Sequence, residues 1–543
     1  MSLVFTTASP PATQDVQRAD VACFVGFVAR RTAMPLPDDV RTQLVAAGWA
    51  APMSAADPTQ RDPWVTSVWA RDDDDVEALL DVPVVCDSWD LFDQLYAWEA
   101  RPLSPTSDAV CTTYLGAAVR SFFARGGRRA VIVRVGDPWA VAEDAAQRTA
   151  AHVARLAALL PALGEGAPLF DPNDRSTWQG TQHLYGLRDI SMLLLPDLPD
   201  ACSLVTPLPD VSPTPPPTPE VFVECSVDDP VLADDSLRNL PAPRLDAPGY
   251  VAWQAAIAAA RDFLATWDRE LLLLAALPLP LIDTGDASGT THAQADMLAW
   301  LQSLGVIAAD GSAGNNADAS AFVQLAWPWL QTQASTDDLP EGLESPDGVL
   351  AGLIADGALR SGTFRSVAGD ASQAPLRDIA GALPVPAWGQ GDASPTALLA
   401  RHVCLFAQSP DGWALQSDVT TASDEAWRFG GASRLVGTIV RAARARGDAA
   451  AFEPNGPRLW ARITSQMDAL LTNFFNEGAF GGDTAGQSFV VRCDRSTMTQ
   501  ADLDNGRLIV QIGILPAMSV ETISIVLDLG NTGGQASSLR EAA

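Results

Sequence analysis

Residues that carry chemistry are sparse and scattered in this chain. Its four histidines, His152, His183, His292 and His402, lie far apart, and no HExxH pair is present. Metal binding and histidine-based acid–base catalysis need ligands or partners at short, fixed spacings. The sequence therefore predicts no metal site and no catalytic histidine.

The acidic residues that stand closest together are better explained by structure than by catalysis. The run 72–75 has consecutive carboxylates without the alternating spacing and turn glycine of a calcium loop, so we interpret it as a solvated loop. Asp494, Asp502 and Asp504 stand among further turn-forming side chains, namely Thr497, Thr499 and Asn505. Such residues cap helices and close turns, and we expect them to link two strands.

Nucleophile, redox and nucleotide motifs are missing as well. The seven cysteines are odd in number and form no CxxC pair, which favours small buried side chains in a reducing compartment. No GxSxG, P-loop or GxGxxG context occurs, and Gly126 with Gly127 is better explained as the end of a helix. We predict that the chain is not an enzyme and binds no cofactor.

Composition narrows the range of partners. The formal charge is −31, from 66 acidic and 35 basic residues, and every basic residue is arginine because lysine is absent. A surface this acidic repels phosphate backbones and anionic lipids, so nucleic acid is not expected as a partner. The missing lysine fits either a high-GC genome or a preference for guanidinium groups at interfaces. The longest apolar run, 271–282, is short and broken by two prolines, so no export signal or membrane insertion is expected.

Hydrophobic periodicity predicts a multidomain α+β fold. The predicted strands are 21–28, 82–86, 130–135, 190–195, 271–282, 321–327, 489–493, 507–514 and 522–527, and the predicted helices are 88–98, 112–124, 140–160, 251–267, 293–304, 433–446 and 458–475. The interval 332–397 is predicted to be rich in loops. Prolines are dense in 207–219, which predicts an extended linker there.

These elements suggest a division of the chain into consecutive parts. We predict an N-terminal segment, an outer α/β domain, a proline-rich insert, a middle part of the core, a C-terminal α/β domain and a flexible tail, at 1–20, 21–200, 201–247, 248–400, 401–530 and 531–543. At 543 residues, several cores are expected.

Several segments together resemble the contractile tail sheath family, which is shared by phage tails, tailocins and extracellular contractile injection systems. The similar segments are VACFVGFVARR (21–31), VPVVCDSWDLFDQLYAW (82–98), TYLGAAVRSFFARGGRRAVIVRVGDP (113–138), FVQLAWPWL (322–330), SPDGVLAGLIADGALRSGTFRSVAG (345–369), FEPNGPRLWARI (452–463) and FVVRCDRSTMTQADLDNGRLIVQIGILP (489–516). They occur in the family's order and cover most of the chain.

The resemblance implies a structural subunit that stacks in hexameric rings around an inner tube and contracts to drive that tube forward. It implies a C-terminal domain facing the tube, with further copies of the chain, inner tube protein, baseplate and cap proteins as partners. It also implies assembly in the cytoplasm into a phage-tail-like particle that in some systems is released from the cell.

Two other functions stay open from the sequence. Residues 1–20 do not match the family's opening PGVYVEE-like arm. One alternative function is therefore that of a specialised sheath paralogue, which seeds or ends the sheath at the baseplate or cap. A secreted carbohydrate-binding or hydrolytic protein would need an export signal and a pocket of perturbed acids, and the sequence offers neither.

The closing strand is a candidate contact between subunits. Ile523, Ile525 and Leu527 alternate with Thr522, Ser524 and Val526 before a glycine-rich tail. In the family, terminal arms add strands to sheets of neighbouring subunits. The strand is therefore either such an arm or the domain's own edge strand.

The predicted helix 433–446 is a candidate contact with the tube. Arg434 and Arg441 are seven residues apart with Arg444 nearby, which predicts a basic face on an acidic protein. The family resemblance implies that this face meets an acidic inner tube, while the alternative is an ordinary solvated face.

Overall fold

The protein forms two compact units. The structure is a computed structural model that describes residues 19–52, 70–106, 108–164, 166, 170–204, 237, 240–280, 320–333, 335, 338–369, 380–381, 395–409, 412–422, 424–450 and 453–517. One unit comprises residues 1–445 and the other 446–543. The predicted linker 207–219, helix 293–304 and strand 522–527 lie outside the described residues.

Eighteen short strands are defined in the described residues. They are β1 (Val21–Phe27), β2 (Ala29–Arg30), β3 (Val84–Cys86), β4 (Tyr96–Ala97), β5 (Arg101–Pro102), β6 (Val110–Cys111), β7 (Arg129–Gly136), β8 (Met192–Leu194), β9 (Arg244–Leu245), β10 (Leu272–Ala276), β11 (Leu279–Pro280), β12 (Val323–Trp327), β13 (Leu330–Gln331), β14 (Ala380–Gly381), β15 (Cys404–Ser409), β16 (Gly412–Leu415), β17 (Phe489–Arg492) and β18 (Gln511–Ile514).

Fourteen α-helices accompany them in the same ranges. They are α1 (Asp38–Ala46), α2 (Asp73–Ala78), α3 (Trp89–Leu95), α4 (Tyr114–Ala124), α5 (Ala145–Leu159), α6 (Leu198–Cys202), α7 (Ala247–Trp267), α8 (Asp347–Ser361), α9 (Pro395–Ala400), α10 (Glu425–Arg428), α11 (Gly430–Ala449), α12 (Pro457–Asn476), α13 (Ala485–Ser488) and α14 (Gln500–Asp504). Four 3-10 turns occur at Pro161–Leu163, Arg175–Thr177, Gly180–Gly186 and Pro340–Gly342.

An eight-stranded mixed sheet organises the first unit, in the order β16, β15, β12, β10, β8, β1, β7, β3. The six inner strands pair in parallel, and the two edge strands β3 and β16 are antiparallel to their neighbours. Parallel strands covered on both faces are apolar throughout, and every residue of β1 and β10 is buried. The predicted α+β fold class is confirmed.

Side chains of β1 show how the sheet carries two cores. Cys23 and Val25 point into one apolar cluster, which also holds side chains of α5 and α7. Ala22 and Phe24 point into the other, which holds side chains of α3, α4 and α8. This alternation is the period of two that a strand imposes.

Local signals place the helix starts. Ser88, Thr113, Asp144 and Asp246 each accept a backbone N–H of the first turn of α3, α4, α5 and α7. Gly126, with φ of +108°, follows the end of α4, as the glycine pair predicted.

Helix α8 lies inside the interval that was predicted to be rich in loops, and that prediction is wrong. Gly348 and Gly352 let α8 approach α4 so closely that a Cβ atom on Gly348 would stand 2.5 Å from the Ala118 carbonyl oxygen. Glycines are poor helix formers in isolation, which is why the sequence suggested loops. Here they serve close packing between two helices.

The predicted domain bounds stay a prediction, and the large sheet draws on several of the predicted parts. The large sheet takes strands from the predicted outer domain, from the middle part and from the start of the predicted C-terminal domain. These three regions therefore share one unit, and the boundary falls within α11.

The described part of the second unit holds the long helix α12, the short helices α13 and α14, and a two-stranded ribbon. Helix α12 buries one apolar stripe of side chains, namely Leu459, Trp460, Ile463, Met467, Leu470, Leu471 and Phe474. Strands β17 and β18 form an antiparallel pair in which Phe489 lies opposite Ile514 and Arg492 opposite Gln511.

Candidate functional site: the arginine helix and the two-stranded ribbon

Arg434 of α11 is buried in an ion pair and does not face solvent. Its guanidinium donates to both carboxylate oxygens of Asp418, at 2.9 and 2.6 Å. Asp418 also accepts from the Gln324 amide at 2.9 Å and from the Val367 N–H at 3.0 Å. Burial alone would raise the pKa of Asp418, but Arg434 and these hydrogen bonds hold that pKa below its usual value.

Arg441 is also buried, with 6% of its surface exposed. It donates to the backbone carbonyl of Glu270 at 3.0 Å and to the Thr438 hydroxyl at 3.0 Å. Burial lowers the pKa of Arg441 to about 10, and the nearby Glu270 carboxylate opposes that shift. Gly437, one turn earlier, makes room for the Glu270 backbone.

Arg444 is the one member of the predicted trio with a substantially accessible side chain, at 33%. It forms ion pairs with the buried carboxylates of Glu270 and, at 3.7 Å, Asp268. Burial, and then Glu270, raise the pKa of Asp268 to about 7, while Arg444 and Arg188 counteract this rise. The positive charge of Arg444 is therefore paired with carboxylates of the same subunit.

The prediction of a basic face is wrong for Arg434 and Arg441. Heptad spacing placed both on one side of α11, but that side packs onto the sheet, where Asp418 and Glu270 supply the partners. Sequence spacing alone could not show this, because Glu270 is 171 residues from Arg441. A contact of α11 with a tube stays a prediction.

Ile523, Ile525 and Leu527 lie outside the described residues, so their role as an inter-subunit strand stays a prediction. The described part of the second unit holds the ribbon to which such a strand would add. The Leu515 N–H donates to the Ser488 carbonyl at 2.8 Å, which sets the hydrogen-bonding phase of the ladder. Counting from that bond, the backbone groups of residues 489, 491, 512 and 514 point away from the partner strand.

The ribbon is open on its long edges within the part of the chain that the structure describes. No further strand pairs with β17 or β18 there. Side chains on its inner face, such as Phe489 and Ile514, stay only half-buried, and Val490 on the other face is 45% exposed. A two-stranded ribbon is marginal by itself and gains from added strands.

The polar segment between β17 and β18 is a capped turn, as predicted. Asp494 accepts from the Ser496 N–H and hydroxyl, at 2.7 and 2.5 Å. Thr499 and Asp502 form a reciprocal capping box at the start of α14. These residues are used in local structure rather than catalysis.

The comparisons with solved structures reach nearly the whole chain. A chain in the cryo-EM structure of the anti-feeding prophage baseplate in contracted state matches with a TM-score of 0.54 and 17% identity, covering 98% of both chains. A chain in the six-fold symmetrised baseplate of the same prophage gives 0.52 and 17%, covering 97% of this chain and 98% of that one. A chain in the contracted sheath complex of the PVC extracellular contractile injection system gives 0.48 and 14%, covering 98% of both.

This chain has the contractile sheath fold. No protein-family model and no curated protein matches the sequence. None of the described helices combines the length and apolarity needed to cross a membrane.

In this example of the sheath fold, the carboxyl edge of the parallel strands is filled by charged side chains. In doubly wound sheets, ligands bind in the crevice where neighbouring strands lead to opposite sides, and here that place lies beyond β1 and β8. Asp197 occupies it and accepts from the Phe27 and Leu115 N–H groups at 2.7 and 3.2 Å. Asp200 nearby binds both Arg101, at 2.5 Å, and Arg148, at 3.3 Å.

This buried network was missed from the sequence. Its signal was present, because two aspartates follow directly after an apolar run that becomes β8. Burial raises the pKa of Asp197 to about 7, whereas Arg101 and Arg148 hold the pKa of Asp200 below its usual value. Arg101 and Arg148 occupy the carboxylate of Asp200, so we infer that this network stabilises the fold and does not bind a ligand.

Metal chemistry finds no support among the described residues, where no group of three potential ligands comes together. Six of the seven cysteines are described, and each is free and buried. Burial raises the pKa of thiols such as Cys23 and Cys202 far above the range in which a thiolate forms.

Proposed function

We propose that the chain is a structural subunit of a contractile sheath, which polymerises in stacked hexameric rings around an inner tube and contracts to drive the tube through a target envelope. The open ribbon β17–β18 carries the proposal, together with the sheath fold. We further propose that the subunit assembles in the cytoplasm into a phage-tail-like particle, together with inner tube, baseplate and cap proteins.

The ribbon supports this function through strand addition. Backbone N–H and C=O groups that point outward from residues 489, 491, 512 and 514 are matched when another chain adds a strand. Such a strand also covers apolar side chains that the unit itself leaves half-exposed. The geometry thus favours linking copies through the second unit.

Residues Ile523, Ile525 and Leu527 are the proposed donor strand, lent to a neighbouring copy. They follow the ribbon closely in sequence and alternate apolar and polar side chains as an added strand requires. For contact with the tube, we propose Arg444 alone of the three arginines, because Arg434 and Arg441 are buried.

Electron microscopy of the purified protein, alone and co-expressed with its inner tube protein, tests the function. Striated tubes are the expected result. Monomers that form neither tubes nor rings under either condition would contradict the proposal.

Two truncations test the donor strand. Removing residues 523–543 should abolish polymerisation and leave a folded monomer, as checked by circular dichroism and size-exclusion chromatography. Removing only 530–543 deletes the glycine-rich tail and keeps Ile523, Ile525 and Leu527, so tubes should still form. Normal tubes from the longer deletion would contradict the role of Ile523, Ile525 and Leu527 as the donor strand.

Arg444→Gln tests the tube contact. We expect weaker co-sedimentation with the tube, with a smaller salt dependence, since one charge contact is lost. Arg360→Gln is the control, because that side chain is 69% exposed on α8 in the first unit. Equal binding by both variants would remove Arg444 from the interface.

A second candidate is a sheath-like subunit at the baseplate end. The two solved chains compared above that have a TM-score above 0.5 come from baseplate structures. Residues 1–20 also lack the family's opening arm motif. Single rings in place of long tubes in the microscopy experiment would favour this role.

A further inference from the structure

His183 is enclosed in the first unit, and its ring has no well-formed hydrogen bond among the described residues. It lies in the 3-10 turn Gly180–Gly186 and has no exposed surface. Its ring packs edge-to-face against Trp49 at 5.0 Å and Trp178 at 6.4 Å between centroids. Neither ring nitrogen has a hydrogen-bond partner among the described residues.

The charges around this imidazole are unbalanced. One carboxylate is near, with Asp81 Oδ1 3.5 Å from Nε2, and that oxygen already accepts the Gly180 N–H at 2.9 Å. Two arginines face the same site. Arg175 stacks over the Trp49 ring at 4.3 Å, and Arg71 lies 6.0 Å from that ring.

The same residues hold the surrounding segment in place. We use the name clasp for residues 174–186, which contain the two 3-10 turns. Arg71 donates to the backbone carbonyls of Ser176, at 2.7 Å, and Trp178, and also to the Asp81 carbonyl at 3.2 Å. Gly180 lies so close to α5 that a Cβ atom there would stand 2.3 Å from the Ala158 carbonyl oxygen.

We propose that His183 makes the clasp acid-sensitive, so that protonation of its imidazole opens residues 174–186 while the rest of the first unit stays folded. An imidazolium would place a third cation beside Arg71 and Arg175 in a site that excludes water. Among the residues that the structure describes, Asp81 is the carboxylate placed to oppose that repulsion, and its Oδ1 atom is shared with Gly180. Trp49 and Trp178 would then lose their packing partner.

The direction of the pH effect follows from proton linkage. Burial, with help from Arg71 and Arg175, lowers the pKa of His183 in the closed state, although Asp81 acts against this. In the open state the imidazole has its ordinary pKa of about 6.5. Closure is therefore most stable above the open-state pKa of about 6.5. As the pH falls below it, the opening constant rises, with a limiting slope of about tenfold per pH unit, until the closed-state pKa is reached.

Hydrogen–deuterium exchange of the full chain between pH 7.5 and 5.0 tests the proposal. After correction for the intrinsic exchange rate, peptides covering residues 174–186 should lose protection between pH 6.5 and 5.5, by up to about fivefold for one proton with an open-state pKa of about 6.5. Peptides from β1 and β7 should keep theirs. Tryptophan fluorescence should change over the same range, since Trp49 and Trp178 contact the ring.

Matched variants keep the test decisive. His183→Phe retains an aromatic ring and His183→Gln retains a polar side chain, and neither takes up a proton, so both should abolish the acid-dependent loss. His152→Gln, on α5, should behave like the wild type, because His152 is partly exposed and contacts the Ala201 carbonyl. If both His183 variants open in acid as the wild type does, or if the wild type keeps its protection at pH 5.0, the proposal is overturned.

Discussion

At the residue scale, the ion pair between Arg434 and Asp418 joins α11 to the sheet. Both side chains are almost fully buried, and Asp418 also accepts hydrogen bonds from two further places in the first unit, the Gln324 side chain and the Val367 N–H. Replacing such a pair by apolar groups is often tolerated, but removing one partner leaves the other charge buried and unmatched. The pair therefore holds α11 against the sheet, and losing either partner should destabilise the first unit.

Asp418→Asn should lower the free energy of unfolding by about 3–5 kcal/mol, because Arg434 would keep its charge without a carboxylate. The measurement is urea denaturation at pH 7.5, followed by circular dichroism. Since the pKa of Asp418 lies below its usual value of 3.8, its contribution is present above that pH and is lost as the pH falls through the lower folded-state pKa.

The control for this variant is Asp87→Asn. Asp87 pairs with Arg129 at the surface, where the two side chains are 60% and 36% exposed. Surface pairs contribute about 0–1 kcal/mol, so a small change is expected. Similar losses for both variants would show that burial of the Arg434–Asp418 pair carries no special weight.

At the scale of elements, α8 and α4 are packed through glycine. A Cβ atom on Gly352 would stand 2.8 Å from the Phe122 carbonyl oxygen and 2.5 Å from the Arg125 Cβ atom. Gly352→Ala should therefore push the helices apart and lower the free energy of unfolding by about 1–3 kcal/mol, despite the better helix propensity of alanine.

Gly447→Ala is the matched control, because it lies near the end of α11 with open space around it. The same substitution should there raise stability by up to about 1 kcal/mol. Opposite signs for the two variants, measured by urea denaturation, support close helix packing. A stabilising Gly352→Ala would show that α8 and α4 can separate without loss.

The elements also show what the sequence could and could not predict. Continuous apolar runs identified the strands that became β1, β7 and β10, and helical periodicity identified the helices that became α3 and α4, because these signals are local. Helix α8 was missed because its glycines do not favour a helix by themselves. They allow close packing against Ala118, which is 230 residues away from Gly348 in the sequence.

The candidate site divides in the same way. The turn between β17 and β18 was predicted from its own threonines and aspartates. The burial of Arg434 and Arg441 depends on Asp418 and Glu270, whose proximity only the folded sheet creates. Periodicity defines a helix face but does not tell which face the rest of the chain covers.

At the scale of the whole molecule, a net charge of −31 opposes both folding and assembly. Like charges repel within one compact unit and between copies that approach each other. Salt shortens the distance over which they do so, from about 10 Å at 0.1 M to about 3 Å at 1 M. Salt screens buried ion pairs such as Arg434–Asp418 much less. Added salt should therefore weaken the repulsion between surface charges more than it weakens the buried ion pairs.

We expect the thermal unfolding midpoint to rise by a few degrees, roughly, between 0.05 and 0.5 M NaCl, with most of the rise at the low end. KCl should give the same curve, because screening depends on ionic strength. Sucrose at equal osmolality is the uncharged control and should not reproduce the early rise.

Polymerisation of the proposed sheath, followed by light scattering, should accelerate over the same salt range, because every added copy brings the same negative charge. A falling midpoint and slower polymerisation would show instead that salt-sensitive ion pairs, and not net repulsion, dominate the electrostatics of this chain.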